Sequence, residues 1–340
     1  MYTYEEIINQ ANQLERTYEV VNNQVFSEND ADVHLFIGCG TSFYLALSAA
    51  RYFQEVTGKI GTALPASEVF MHPDNSLLKG KSYNVVAISR SGTTSEVVAA
   101  LEMLQKRSNV KTLSVTCHGD SPMAKLSDQV ISLEHIKEKS VVMTQSFSNM
   151  LFALQIFGAK TASSGVDLSE LKQVPSLTSK LLEKWEVTKP IADNLSNKRF
   201  IFLGTGLNNG IAKEATLKLK EMTQTECESY STLELRHGPI SIVDESTVVV
   251  MTSQSSTETL DQELVRDIQK FKGSVLVLGQ FTTDFSADYV INHGGTLSDR
   301  NNLVLNVPHL QLLAFHRAIK LGYNPDEPRN LTQVVKLKLS

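Results

Sequence analysis

Short unbroken apolar runs alternate along this chain with longer stretches in which apolar residues recur every three or four positions. Residues 85–88 are a run of the first kind and read as a strand buried on both faces; 34–37, 111–116 and 129–133 read as further strands with polar residues among the apolar ones, and 60–64 as a weaker one. Between them, residues 43–55, 97–104 and 142–160 carry a helical period, and Ser121-Pro122 opens a short helix with proline in its first turn. A leading amphipathic helix over residues 4–21 aligns Ile7, Ala11, Leu14, Tyr18 and Val21 on one face. Strands alternating with helices predict a parallel sheet covered on both faces.

Residues 161–169 are polar, contain Ser163-Ser164-Gly165 and predict a linker. One domain is expected over residues 1–165 and another over 170–340. Helical residues 170–196 follow the linker, and then the pattern restarts. Strands are expected at 198–203, 247–251, 274–278 and 289–291, and helices at 260–271 and 303–320. Phe36-Ile37-Gly38-Cys39-Gly40-Thr41-Ser42 is echoed by Phe202-Leu203-Gly204-Thr205-Gly206-Leu207-Asn208. Ser89-Arg90-Ser91-Gly92-Thr93 is echoed by Ser253-Gln254-Ser255-Ser256-Thr257. The echoes predict a diverged internal duplication, one α/β unit per half. The tail from Gly322, with Pro325 and Pro328, reads as extended.

Ser89-Arg90-Ser91-Gly92-Thr93-Thr94-Ser95-Glu96 stands where a buried strand gives way to a helix. A helix N-terminus offers unpaired N–H groups and the positive end of the dipole. One N-cap needs one hydroxyl; here residues 89–95 hold five. The stretch therefore reads as a phosphate cradle, with Gly92 allowing the backbone to approach closely. Its echo lacks the glycine, so one good anion loop is expected, in the first half. In an open parallel sheet, ligands sit beyond the strand carboxyl ends at the switch in strand order, where this loop and Cys39-Gly40-Thr41-Ser42 would meet. Neither Gly38-x-Gly40 nor Gly204-x-Gly206 completes a dinucleotide fingerprint, since Phe43 and Asn209 occupy the last glycine position.

Composition narrows the function classes. The 340 residues carry a net charge of −5 and no Lys/Arg-rich run, which argues against nucleic acid and anionic membranes as partners. No apolar stretch is long enough to span a bilayer. Three scattered cysteines, Cys39, Cys117 and Cys227, fit a reducing cytoplasm and provide neither a disulfide framework nor a zinc pattern. His72, His118, His135 and His293 have no ligand-like spacing and read as structural or surface residues; Cys39 reads as packing. No metal and no cofactor is expected.

A second constellation lies further on. Ala215, Leu219 and Met222 form an apolar stripe, and Glu214, Lys218 and Glu221 share the neighbouring helical face. By itself that face reads as a solvated ion-pair surface. His237-Gly238-Pro239 soon after it places an imidazole in a constrained turn, which suits acid–base chemistry.

With these motifs together, and with Glu234-Leu235-Arg236-His237-Gly238-Pro239 and Pro328-Arg329-Asn330-Leu331, the sequence resembles the sugar isomerase (SIS) family in its double-domain form. It looks like the isomerase half of glucosamine-6-phosphate synthases, the stand-alone amino-sugar-phosphate deaminases/isomerases and the fructosamine-6-phosphate deglycases. The resemblance implies an α/β architecture of two tandem flavodoxin-like SIS domains, each a parallel sheet flanked by helices. It implies that Ser42, Ser89, Arg90, Ser91 and Thr94 bind the phosphate of a hexose-6-phosphate derivative, and that Gly40, Thr41, Val142 and Thr144 line the sugar pocket. Glu221 would move a proton between C1 and C2, His237 would open the ring, and Lys218 and Glu214 would support the intermediate. A cytoplasmic homodimer with shared sites is implied, His237 coming from the neighbouring subunit. Two features depart from the synthase pattern. Position 2 is Tyr, not Cys, and no glutaminase segment is present, so glutamine is not the expected nitrogen source. Gln333 stands where the synthase has its imine-forming lysine, with Lys336 and Lys338 further on. The expected function is a phosphosugar isomerase/deaminase acting on an amino-sugar phosphate. The alternatives are a deglycase, a plain aldose–ketose isomerase and a non-catalytic phosphosugar-binding regulator.

Overall fold

The computed structural model describes residues 1–27, 30–335 and 337. Among the described residues, ten strands form two parallel five-stranded sheets. The first holds β1 (Val33–Gly38), β2 (Ile60–Pro65), β3 (Tyr83–Ile88), β4 (Val110–Thr116) and β5 (Gln129–Ser132), in the order β2-β1-β3-β4-β5. The second holds β6 (Arg199–Leu203), β7 (Cys227–Tyr230), β8 (Thr247–Ser253), β9 (Ser274–Gly279) and β10 (Tyr289–Asn292). Its order, β10-β9-β8-β6-β7, is the first order read from the other edge. Both are flavodoxin-like, with the switch in strand order between β1 and β3 and between β6 and β8.

Two compact units emerge, neither continuous in sequence. One contains residues 12–138, 145–172 and 332–335 with the first sheet; the other contains residues 1–11, 139–144 and 173–331 with the second. The first core gathers Leu35, Ile37, Val85, Ala87, Val97 and Leu101 between sheet and helices. The second gathers Ile201, Leu203, Val249, Met251, Val265 and Val277. Every residue of β1, β3 and β8 is buried, as parallel strands covered on both faces require. Each Val, Leu, Ile or Phe so buried contributes about 1.5–3 kcal/mol.

Several elements differ from the sequence reading. The leading helix breaks at Asn9 into Tyr2–Ile8 and Gln10–Asn23. The helix expected over 142–160 starts at Gln145, leaving Val142 and Thr144 in the other unit. Residues 170–196 hold short helices, the first beginning at Gly165 inside the expected linker. Strand β7, Cys-Glu-Ser-Tyr, has no apolar run to announce it; pairing with β6 makes it a strand.

The repeated glycines have a shared steric reason. A Cβ on Gly38 would stand 2.6 Å from the Ser42 carbonyl carbon, and one on Gly204 would stand 2.2 Å from the Asn208 carbonyl oxygen. In each sheet the first helix turns back onto the strand end too closely for a side chain.

Candidate active site

The loop after β3 begins at Ser89, which is buried. Its hydroxyl lies 2.9 Å from that of Thr94 and accepts the Gly92 N–H at 3.1 Å. Ser91 accepts from the Thr93 N–H at 3.2 Å and lies 3.1 Å from the Thr93 hydroxyl. Gly92 has φ of +64°, and a Cβ there would meet Ser121 Oγ at 2.1 Å, so both conformation and space exclude other residues. Thr94 occupies the cap position of helix Ser95–Leu104, but no side chain caps that helix. Thr94 turns its hydroxyl to Ser89 instead. The hydroxyls thus brace the loop and leave the first helical turn uncapped by a side chain, the arrangement an incoming anion needs.

The neighbouring loop after β1 supplies Gly40, at φ +54°, and Thr41 and Ser42, both buried in the first turn of helix Thr41–Thr57. These two loops flank the switch between β1 and β3. Arg90 is tied elsewhere. One terminal nitrogen donates to Glu138 at 2.7 Å, and the other donates to the Gln333 carbonyl at 3.2 Å. The buried Glu138 carboxylate also accepts from the Ser146 N–H at 3.1 Å. Glu138 escaped the sequence reading; its only signal was an acid just ahead of a helix start. The Leu337 N–H donates to Ser95 Oγ at 2.9 Å, so described tail residues touch this loop. Lys336 and Lys338 lie outside the described residues. Burial, and then the nearby Glu96 carboxylate, push the Cys39 thiol up to about 12, which keeps it protonated.

The other unit holds the titratable cluster on helix Asn208–Thr223. Lys218 is 1% exposed, which overturns the solvated-face reading of this helix. Its ammonium lies 3.4 Å from Glu214 and donates to Glu221. Burial works to lower the Lys218 pKa, but the two carboxylates outweigh it, and the net direction is upward. A buried ammonium is tolerated only with such partners. Glu214 is buried, while the Glu221 side chain keeps 18% of its surface exposed. The triad therefore presents one carboxylate outward, backed by a fixed cation.

His237 follows the 3-10 turn Thr232–Arg236 and is exposed. Leu235, two residues before it, is buried. Arg236 forks onto Asp267 at 3.0 and 2.8 Å. Gly238, at φ +119°, leads into Pro239. The turn is thus anchored just before the imidazole, at Arg236. No hydrogen bond among the described residues joins His237 to Glu221. Val142 and Thr144 are buried in this unit, and the Thr144 carbonyl accepts from Gln311 at 3.1 Å. Among the described residues, no group of three His, Cys, Asp or Glu side chains could hold a metal ion.

The SIS domain family matches residues 29–160 and 195–290, which contain both sheets' switch loops and the triad. The chain belongs to the SIS domain family. Among solved structures, it is similar to a glucosamine-6-phosphate deaminase from Thermotoga maritima, at 29% identity and a TM-score of 0.84 over 99% of this chain and 100% of that one. The C-terminal domain of glucosamine-fructose-6-phosphate aminotransferase from Francisella tularensis shares the fold, with 24% identity and a TM-score of 0.85 over 96% and 98%. Among curated proteins, glutamine–fructose-6-phosphate aminotransferase (isomerizing) from Thermococcus kodakarensis is 28% identical over 94% of this chain and 54% of its own length. The SIS chain spans about half the length of the curated relatives it matches. No helix among its described residues is long and apolar enough to cross a membrane.

Proposed function

We propose that this SIS chain is a phosphosugar isomerase/deaminase acting on a hexosamine-6-phosphate. The observation that carries the reading is the buried Glu214–Lys218–Glu221 triad, because a regulator that only binds phosphosugar has no need of an interior cation holding one carboxylate outward. In this reading the phosphate is held by the hydroxyls and backbone of the loop after β3, with Ser42. Gly40, Thr41, Val142 and Thr144 line the sugar. That remote binding energy orients the reacting carbons. His237, contributed by a second copy in a homodimer, opens the ring. Glu221 takes the proton from C2 and delivers it to C1. The C2 amine thereby becomes an imine, and water hydrolyses it to release ammonia and leave a ketose phosphate. Lys218 offsets charge as the intermediate forms, and Glu214 holds Lys218 in place.

Arg90 enters differently. Its guanidinium is already committed to Glu138 and Gln333, so it braces the phosphate loop against the β5–helix connection and the tail. Similarity to a deaminase along the full length of both chains favours ammonia release over plain aldose–ketose isomerisation. The test is a panel of glucosamine-, galactosamine- and fructosamine-6-phosphates, scored for ammonia, free amine and hexose phosphate. Ammonia release that disappears in Glu221→Gln supports the reading. Ketose formation without ammonia selects the plain isomerase, and no turnover on any member leaves the regulator.

A further inference from the structure

The second sheet has its own loop at the place equivalent to the phosphate loop, and something already sits in it. The loop Gln254-Ser255-Ser256-Thr257 follows β8 and leads into the 13-residue helix Glu258–Lys270. The Ser255 and Ser256 N–H groups both donate to the carboxylate of Asp299, at 3.0 and 3.2 Å. Asp299 lies in the connection between β10 and helix Val307–Leu321, which is the place Glu138 holds in the first unit. There the acid takes an arginine side chain; here it takes the backbone donors themselves.

We infer that the loop after β8 is a second anion cradle, filled by the chain's own Asp299. The other acids near it are committed to different partners. Asp261 accepts from the Ser253 and Thr257 hydroxyls at 2.7 and 2.6 Å, and burial pushes its carboxyl up. Glu258 accepts from the Thr282 and Thr283 N–H groups, each at 2.8 Å. Among the described residues, Asp299 alone occupies the two backbone donors. Ser255 and Ser256 are exposed, so an external anion can reach them once Asp299 is gone. The chain therefore takes one phosphorylated ligand, in the first unit, although it carries two loops of the same origin in the fold.

The test is a titration of the full, isotope-labelled chain with inorganic phosphate, read at the Ser255 and Ser256 amides by NMR. The wild type is expected to show no saturable shift at either amide, while Asp299→Ala binds phosphate there at least about tenfold more tightly. Asp299→Asn keeps the shape and the carbonyl acceptor, and so guards against misfolding; it is expected to respond in the same direction. Saturable binding by the wild type, or silence in the folded variants, overturns the inference. Because the readout is local to this loop, its failure leaves the proposed catalysis untouched.

Discussion

At the carboxyl end of β3 every described hydrogen bond of Ser89, Ser91, Gly92, Thr93 and Thr94 runs among the loop residues or to nearby backbone, and none goes to a carboxylate. At the carboxyl end of β8 the corresponding backbone donors are closed by Asp299. The helices after β1 and β6 differ in the opposite sense. Helix Thr41–Thr57 opens with buried hydroxyls at Thr41 and Ser42, whereas Asn208–Thr223 carries a buried ammonium between two carboxylates. The two sheets share one strand order, so topology places a crevice in both but does not decide its chemistry. Which donors are left uncovered, and where a charge is buried, decides that.

The sharpest way to break this division of labour is at Glu221. Glu221→Gln is expected to lower kcat by about 10²–10⁴ with little effect on phosphate affinity, which steady-state kinetics and phosphate inhibition separate. Turnover that survives the change moves the chemistry out of the second unit. Lys218→Met strands two carboxylates and is expected to cost about 3–5 kcal/mol of stability, measured by denaturant unfolding. A near-neutral result would mean that the triad is not the buried charge centre described here.

Acid should act unequally on the two units. Burial lowers His34 of the first unit to about 4, and His293 and His309 of the second to about 3 and about 4. Above the ordinary value of about 6.5 both the folded and unfolded imidazoles are neutral, and stability is complete. As pH falls below that, the unfolded chain binds protons that the folded chain refuses. Each histidine then removes about 1.4 kcal/mol per pH unit, until the folded value is reached. Hydrogen exchange at pH 7 and pH 5 should show the second sheet losing protection faster than the first; equal losses contradict the burial of two imidazoles there. The smallest effect is expected at the loop after β3. Ser89→Ala removes one brace and should raise KM about tenfold while sparing kcat. A fall in kcat instead would assign Ser89 to the reacting end of the sugar.

Much of this arrangement could be read from the chain alone. The apolar runs inside β1, β3 and β8 needed no partner to be recognised, because burial on both faces favours apolar residues at consecutive positions. Gly38 and Gly204 marked the strand–helix junctions, since nothing larger fits against Ser42 and Asn208. The crowd of hydroxyls after β3 marked a strand–helix loop that they brace among themselves, because one helix cap cannot use them all. Tertiary structure decided the rest. Cys227–Tyr230 is a strand only because β6 offers it hydrogen bonds. Glu214, Lys218 and Glu221 have the spacing of an ordinary surface ion pair, and only packing removes them from water and turns that pair into a buried charge centre. Nothing near Arg90 in the sequence announces its ion pair with Glu138, 48 residues away. Asp299 carries no local mark of the loop it fills, 43 and 44 residues before it. Local pattern reports what a residue can bury or cap; which partner satisfies a charge is fixed by chain folding across such distances.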